Sequence, residues 1–165
     1  MGLIKDNVNT KLDDIVMKCF EGNRFLDRAI NQLDLKFVMN KTAKALHTPL
    51  AHKYPLLADK ISEYQGDRNN PTVYGETPRD ATEYTNPFRI FEKYVGYQME
   101  LEKVVCEAME VAVEEDDYFT QSFIQSFMLD ITPYTKQALL LYDKSKLYED
   151  QWMLFDHNIE DFIIL

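Results

Sequence analysis

The sequence predicts an all-α chain: an antiparallel four-helix bundle with one long crossover and a short C-terminal extension. Three observations predict it. Apolar residues recur with a period near 3.6 rather than 2 along several long stretches. The five glycines and six prolines are bunched, which leaves those stretches uninterrupted. Between the second and third stretches, residues 66–86 lose all periodicity.

The first helix is expected over residues 7–34, with Leu12, Ile15, Cys19, Leu26, Ile30 and Leu33 on one stripe and Lys18, Asp27 and Arg28 off it. The second is expected over residues 41–67, with Ala43, His47, Leu50, Tyr54, Leu57, Ile61 and Tyr64 on a shared face. Two prolines interrupt it, and a helix-interior proline removes a backbone hydrogen bond and crowds the preceding turn. A break or kink follows from that. Thr48 before Pro49 has the form of an N-cap and first helical residue, which splits the helix and starts its longer piece at Pro49.

Gly, Asn, Pro, Thr and Asp accumulate through residues 66–86. Loops beyond about 12–15 residues are uncommon in compact domains, and a bundle uses one to cross its full length so that two successive helices run parallel. Asn86 and Pro87 then read as the N-cap and first residue of a third helix, carried to about residue 115 by Phe91, Tyr94, Leu101, Val105, Ala108 and Ala112. After the acidic link Glu114-Glu115-Asp116-Asp117, a fourth helix is expected over residues 117–146, with Phe123, Phe127, Tyr134, Ala138, Leu141 and Tyr142 inward and a kink at Pro133. The tail, residues 148–165, carries Trp152, Met153, Leu154, Phe155, Phe162, Ile163, Ile164 and Leu165. So apolar a terminus needs cover, from its own bundle or from a neighbouring subunit.

A chain of 165 residues fits one domain with a single substantial core. Cys19 and Cys106 both fall inside helical patterns and the first residues hold no apolar stretch, so a reducing cytoplasm is the expected compartment. Asp6 stands where a myristoylation signal needs Ser or Thr. No run approaches the roughly 18 apolar residues of a membrane span, so a soluble protein is expected. The net charge of −10 repels a phosphate backbone and argues against DNA binding. The acidic excess either solubilises the surface or attracts cations.

The helix lengths, the long second-to-third connection and the acidic third-to-fourth turn resemble the ferritin superfamily, particularly its Dps-like (miniferritin) branch, over about residues 8–147. The most specific stretch runs from Tyr97-Gln98-Met99-Glu100-Leu101 through Cys106-Glu107-Ala108-Met109-Glu110 to Asp117, which looks like the end of the third helix and its turn in that family. Ala58-Asp59-Lys60-Ile61 into Gln65-Gly66-Asp67-Arg68 similarly looks like the end of the second. The resemblance implies a bundle that assembles into a symmetric homo-oligomer, often a hollow shell, and handles iron.

A di-iron carboxylate centre needs one Glu on each of two helices and Glu-x-x-His on the other two, because residues three apart share a helical face. The three histidines, His47, His52 and His157, are preceded at that spacing by Lys44, Pro49 and Leu154, so no Glu-x-x-His exists. Laid on the ferritin pattern, the second-helix motif falls on Tyr54 and Leu57. Glu21 and Glu107 fall near its single-glutamate positions, yet each lies about half a turn from its helix's apolar stripe, which makes an outward carboxylate the expectation. The Dps-like arrangement holds iron between subunits with first-helix histidines and second-helix acids. The first helix here has no histidine, and only Asp59, with Glu63 one turn later, lies near such a position.

His47 on the apolar stripe reads as a hydrogen-bonded core histidine or a metal ligand. His52, Asp59 and Glu63 share one outer face at spacings of seven and four, a candidate low-affinity cation site. Asp130, one turn from Tyr134, lies near the fourth-helix ligands of the family, and a buried acid there would need a partner. No glycine-rich phosphate loop, Cys-x-x-Cys or nucleophile elbow occurs. Three functions are carried forward: an iron-handling, ferritin-like oligomer with ferroxidase activity in doubt, a ferritin-like assembly or interaction module without a redox metal centre, and a carboxylate-bridged oxidase that needs the same absent ligands.

Overall fold

The computed structural model describes residues 1–165. In chain order it contains α1 (Asp6–Leu35), α2 (Asn40–Leu46), a π-helical turn (His47–Ala51), α3 (Lys53–Asp67), α4 (Pro87–Glu114), α5 (Tyr118–Tyr148), α6 (Trp152–His157) and a 3-10 turn (Ile159–Phe162). It has no strand. Two helix starts follow directly from their caps. Asn86 accepts from the Arg89 backbone N–H at 3.2 Å with Pro87 at the first helical position. Asp117 accepts from the Thr120 backbone at 3.0 Å and from its hydroxyl at 2.7 Å, which sets the start of α5 at Tyr118.

The second expected helix departs from its sequence reading. Thr48 caps nothing, because the chain stays helical through Pro49 in the π turn, and the longer piece begins at Lys53. Pro49 has no N–H to offer the Ala45 carbonyl and its ring would crowd that oxygen, so a wider turn with hydrogen bonds five residues back relieves both problems. The His52 N–H accordingly donates to the His47 carbonyl at 3.2 Å. Pro55 then falls in the first turn of α3, where its missing N–H costs nothing. The wide turn also rotates the stripe: Leu50 and Tyr54 stay buried, but His47 is exposed and not a core histidine. Further along, α5 continues as α-helix through Pro133 and ends two residues beyond the expected boundary.

Cross-links at the chain ends fix the topology. Leu3 donates to the Arg68 carbonyl at 2.9 Å, so α1 and α3 run antiparallel. Lys5 pairs with Glu115 at 2.5 Å, so α1 and α4 also run antiparallel. It follows that α3 and α4 are parallel, as the long connection predicted. That connection is a strap laid along the outside of α1. Asn9 donates to the Pro71 carbonyl at 2.9 Å, Asp13 accepts from Val73 N at 3.1 Å, Arg28 donates to the Thr82 carbonyl at 3.0 Å and Lys36 reaches the Tyr84 carbonyl at 2.5 Å.

One core of 36 buried apolar residues runs the length of the bundle and includes Phe155, Ile159 and Phe162 of the tail. The tail therefore packs on its own bundle. Asp156 accepts from the Thr42 backbone N–H at 2.7 Å in the first turn of α2, and Gln137 brackets the chain end by donating to the Phe162 carbonyl and accepting from Ile164 N, both at 2.7 Å. Met153 and Leu154 face outward. No helix is long and apolar enough to cross a membrane.

Candidate functional site

The middle of the bundle holds a buried cluster of polar aromatic side chains. Tyr94, Tyr97 and Gln98 stand three and four residues apart on α4, so helical phase puts all three on its inner face. They meet Tyr54 from α3, and Cys19 comes in from α1; Tyr54, Gln98 and Cys19 are wholly buried. Gln98 donates its amide to the Tyr54 hydroxyl, which donates in turn to Tyr94 at 3.2 Å. The Tyr97 hydroxyl turns the other way and donates to the Lys18 carbonyl at 2.9 Å. Tyr54 lies edge-on to Tyr97 with centroids 5.2 Å apart and 5.9 Å from Tyr134. The Gln98 carbonyl oxygen is buried without a protein partner.

Burial fixes the ionisation of these groups. Loss of solvent pushes the Tyr54 and Tyr97 phenols well above their ordinary range and raises Tyr94 as well. It pushes the Cys19 thiol up to about 12. The interior is thus a set of neutral phenols, one amide and one protonated thiol.

The carboxylates are elsewhere. Glu21 is exposed and pairs with Lys18 at 3.1 Å, and the same lysine reaches Glu100 at 2.5 Å. Glu107 is half-exposed and 3.5 Å from Lys11. Asp130 is half-exposed rather than buried and finds its partner in Lys60 at 2.9 Å. Asp59 and Glu63 are exposed on α3. His52 is exposed too, and its ring lies 4.2 Å from that of His47. No three His, Cys, Asp or Glu side chains are grouped so as to hold a metal ion. Among the six sequence candidates, His52, Asp59, Glu63, Asp130, Glu107 and Glu21, Asp59 and Glu63 lie one turn apart on α3, but no three come together in one site.

Superposition on solved structures decides the architecture. An open-pore ferritin from the hyperthermophilic archaeon Archaeoglobus fulgidus matches with a TM-score of 0.86 over 100% of this chain and 99% of that one. The fold is the ferritin fold. Sequence identity to that protein is 17%. A humanized archaeal ferritin matches at TM-score 0.86 and 16% identity over 98% of both chains, and a closed form of the A. fulgidus ferritin engineered by mutagenesis at 0.84 and 17%, also over 98% of both. The sequence matches no protein-family model and no curated protein. Identity this low carries the ferritin fold and leaves the chemistry to be argued from the site.

A di-iron centre of the kind this fold implies does not fit the residues present. Fe(II) and Fe(III) in such a centre take carboxylate and imidazole donors, and the interior offers neither. Tyr54, on which the sequence resemblance laid the second-helix motif, gives its hydroxyl to Tyr94 and accepts from Gln98, so it is engaged with the protein itself. Sequence reasoning did not anticipate this buried cluster. The signal was Gln98, a polar side chain on the α4 apolar stripe one turn from Tyr94.

Proposed function

We propose that this chain is a ferritin-fold subunit of a homo-oligomer whose bundle interior carries out no redox chemistry, and that it serves as an assembly or protein-interaction module. The observation that carries this reading is the Tyr54–Gln98–Tyr94 cluster. A neutral, hydrogen-bonded core occupies the middle of the bundle where metal ligands would have to project. The contact surface would include the outer side of the tail, where Met153 is 90% exposed and Leu154, Ile164 and Leu165 remain partly open. Exposed apolar side chains along the tail favour a protein partner.

The test combines the mass of the purified protein in solution with its iron content and its rate of Fe(II) oxidation in air. The reading expects a species larger than the monomer and oxidation no faster than buffer. Stoichiometric bound iron with catalysed oxidation would overturn it. Glu107→Ala should leave any bound iron unchanged.

A second reading, iron handling without an intrasubunit centre, is supported by the net charge of −10 and by two exposed acids one turn apart on α3. In a Dps-like assembly Asp59 and Glu63 would supply carboxylates to iron held between subunits. This reading expects iron to load only into the assembled particle, and the Asp59→Asn, Glu63→Gln double variant to lose it.

A further inference from the structure

The π turn does more than accommodate Pro49. In an ordinary α-helix, side chains five residues apart point about 140° away from each other. The wider π turn winds less per residue, and it brings His47 and His52 onto one side. Their rings sit 4.2 Å apart at an interplanar angle of 60°. Both are exposed, so core packing does not explain the pairing.

The pair stands on the rim of an open groove of about 550 Å³ between the π turn and α1. Asp27 and Asp34 line the opposite side, and Lys44 is the one cation among the lining residues. Asp27 forms no ion pair, and Asp34 is engaged only by the neutral amide of Asn40. The groove is thus net negative, on a chain of net charge −10, around two neighbouring imidazoles. Two imidazoles within one chelate ring suit borderline divalent ions, with Cu²⁺ held most tightly, then Ni²⁺ and Zn²⁺. π-Helical turns inside helices frequently mark functional sites.

We propose that His47 and His52 chelate one divalent transition-metal ion at the π turn, with water completing its coordination and Asp27 and Asp34 supplying a favourable field across the groove. The site lies outside the bundle interior and does not depend on whether the protein handles iron.

The full chain would be titrated separately with Zn²⁺, Ni²⁺ and Cu²⁺ against a chromophoric competitor, and ring proton resonances of the histidines followed during Ni²⁺ addition. One ion per chain is expected, with selective broadening of His47 and His52 and none of His157, which lies at the end of α6. His47→Ala and His52→Ala should each weaken binding about tenfold or more. Because both side chains are exposed, the variants should melt like the parent, and His157→Ala should bind like the parent. Absence of a one-to-one ion, or binding that survives both substitutions, would overturn the proposal.

Discussion

The Tyr97 hydroxyl occupies the volume that a β-carbon on Gly22 would need, and from there it donates to the Lys18 carbonyl at 2.9 Å. Glycine inside a helix costs roughly 1 kcal/mol against alanine, so its place in α1 calls for a reason, and the close approach of Tyr97 is that reason. Gly22→Ala should therefore destabilise the protein by about 1–3 kcal/mol through overpacking, despite alanine's better helix propensity. Denaturant unfolding reads this directly. Tyr97→Leu, which vacates the space, should reduce the cost of Gly22→Ala in a double-mutant cycle; additive effects would refute the steric account.

Tyr54→Phe removes the acceptor of the wholly buried Gln98 amide and should cost about 1–3 kcal/mol, the range for stranding a buried donor. Gln98→Met should behave differently. It removes an amide whose oxygen is already unpartnered, conserves volume, and leaves Tyr54 bonded to Tyr94. The variant should melt within about 1 kcal/mol of the parent or above it. A large loss would mean that the amide carries more of the core than its hydrogen bonds indicate.

Alkaline pH should unfold the protein for a reason traceable to the same cluster. The folded pKa values of Cys19, Tyr54, Tyr94 and Tyr97 are raised, so above the ordinary values the unfolded chain releases protons that the folded one retains. Stability falls as pH rises wherever the unfolded state binds fewer protons. For Cys19 this stabilisation is complete below about pH 9 and is lost as pH climbs toward about 12. Melting temperature measured from pH 7 to 11 should be flat and then drop. A thiol reagent at pH 8 should modify exposed Cys106 at once and Cys19 only after denaturation.

Asp156→Ala should loosen the C-terminal segment without disturbing the bundle. Its carboxylate is the acceptor for the Thr42 N–H at the start of α2 and acts as a cap supplied from another element. Loss of such a cap costs about 1 kcal/mol. Limited proteolysis should cut the variant between residues 148 and 165 faster than the parent, with the remainder resistant.

Much of the architecture was legible because helical period, caps and chain punctuation act locally. Asn86-Pro87 and Asp117 marked their helix starts to within a residue, and residues 66–86 announced the parallel connection. His47 was misplaced because a π turn changes the angle per residue just where it begins, whereas Ala43, Leu50, Tyr54, Leu57 and Ile61 of the same stripe are buried as expected. The candidate site was legible only as a lack of ligands. That Tyr54, Tyr94, Tyr97, Gln98 and Cys19 meet depends on which faces of three helices are opposed, and Gly22 admits Tyr97 through a contact that no spacing encodes. The outward positions of Glu21 and Glu107 agree with their phase, since that property belongs to one helix alone.

The strap along α1 also sets a limit of length. From Asn9 to Lys36 the helix rises about 40 Å, whereas the chain from Pro71 to Tyr84 spans at most about 45 Å when fully drawn out. The connection is a nearly taut ruler. Four residues removed from it would leave about 32 Å at most, so both anchors could be kept only with the Asn9 and Lys36 side chains drawn out along the strap. The whole connection from Asp67 to Pro87 would still span more than about 50 Å and reach the start of α4, so a deletion there would strip hydrogen bonds from α1 while leaving the direction of α4 unchanged.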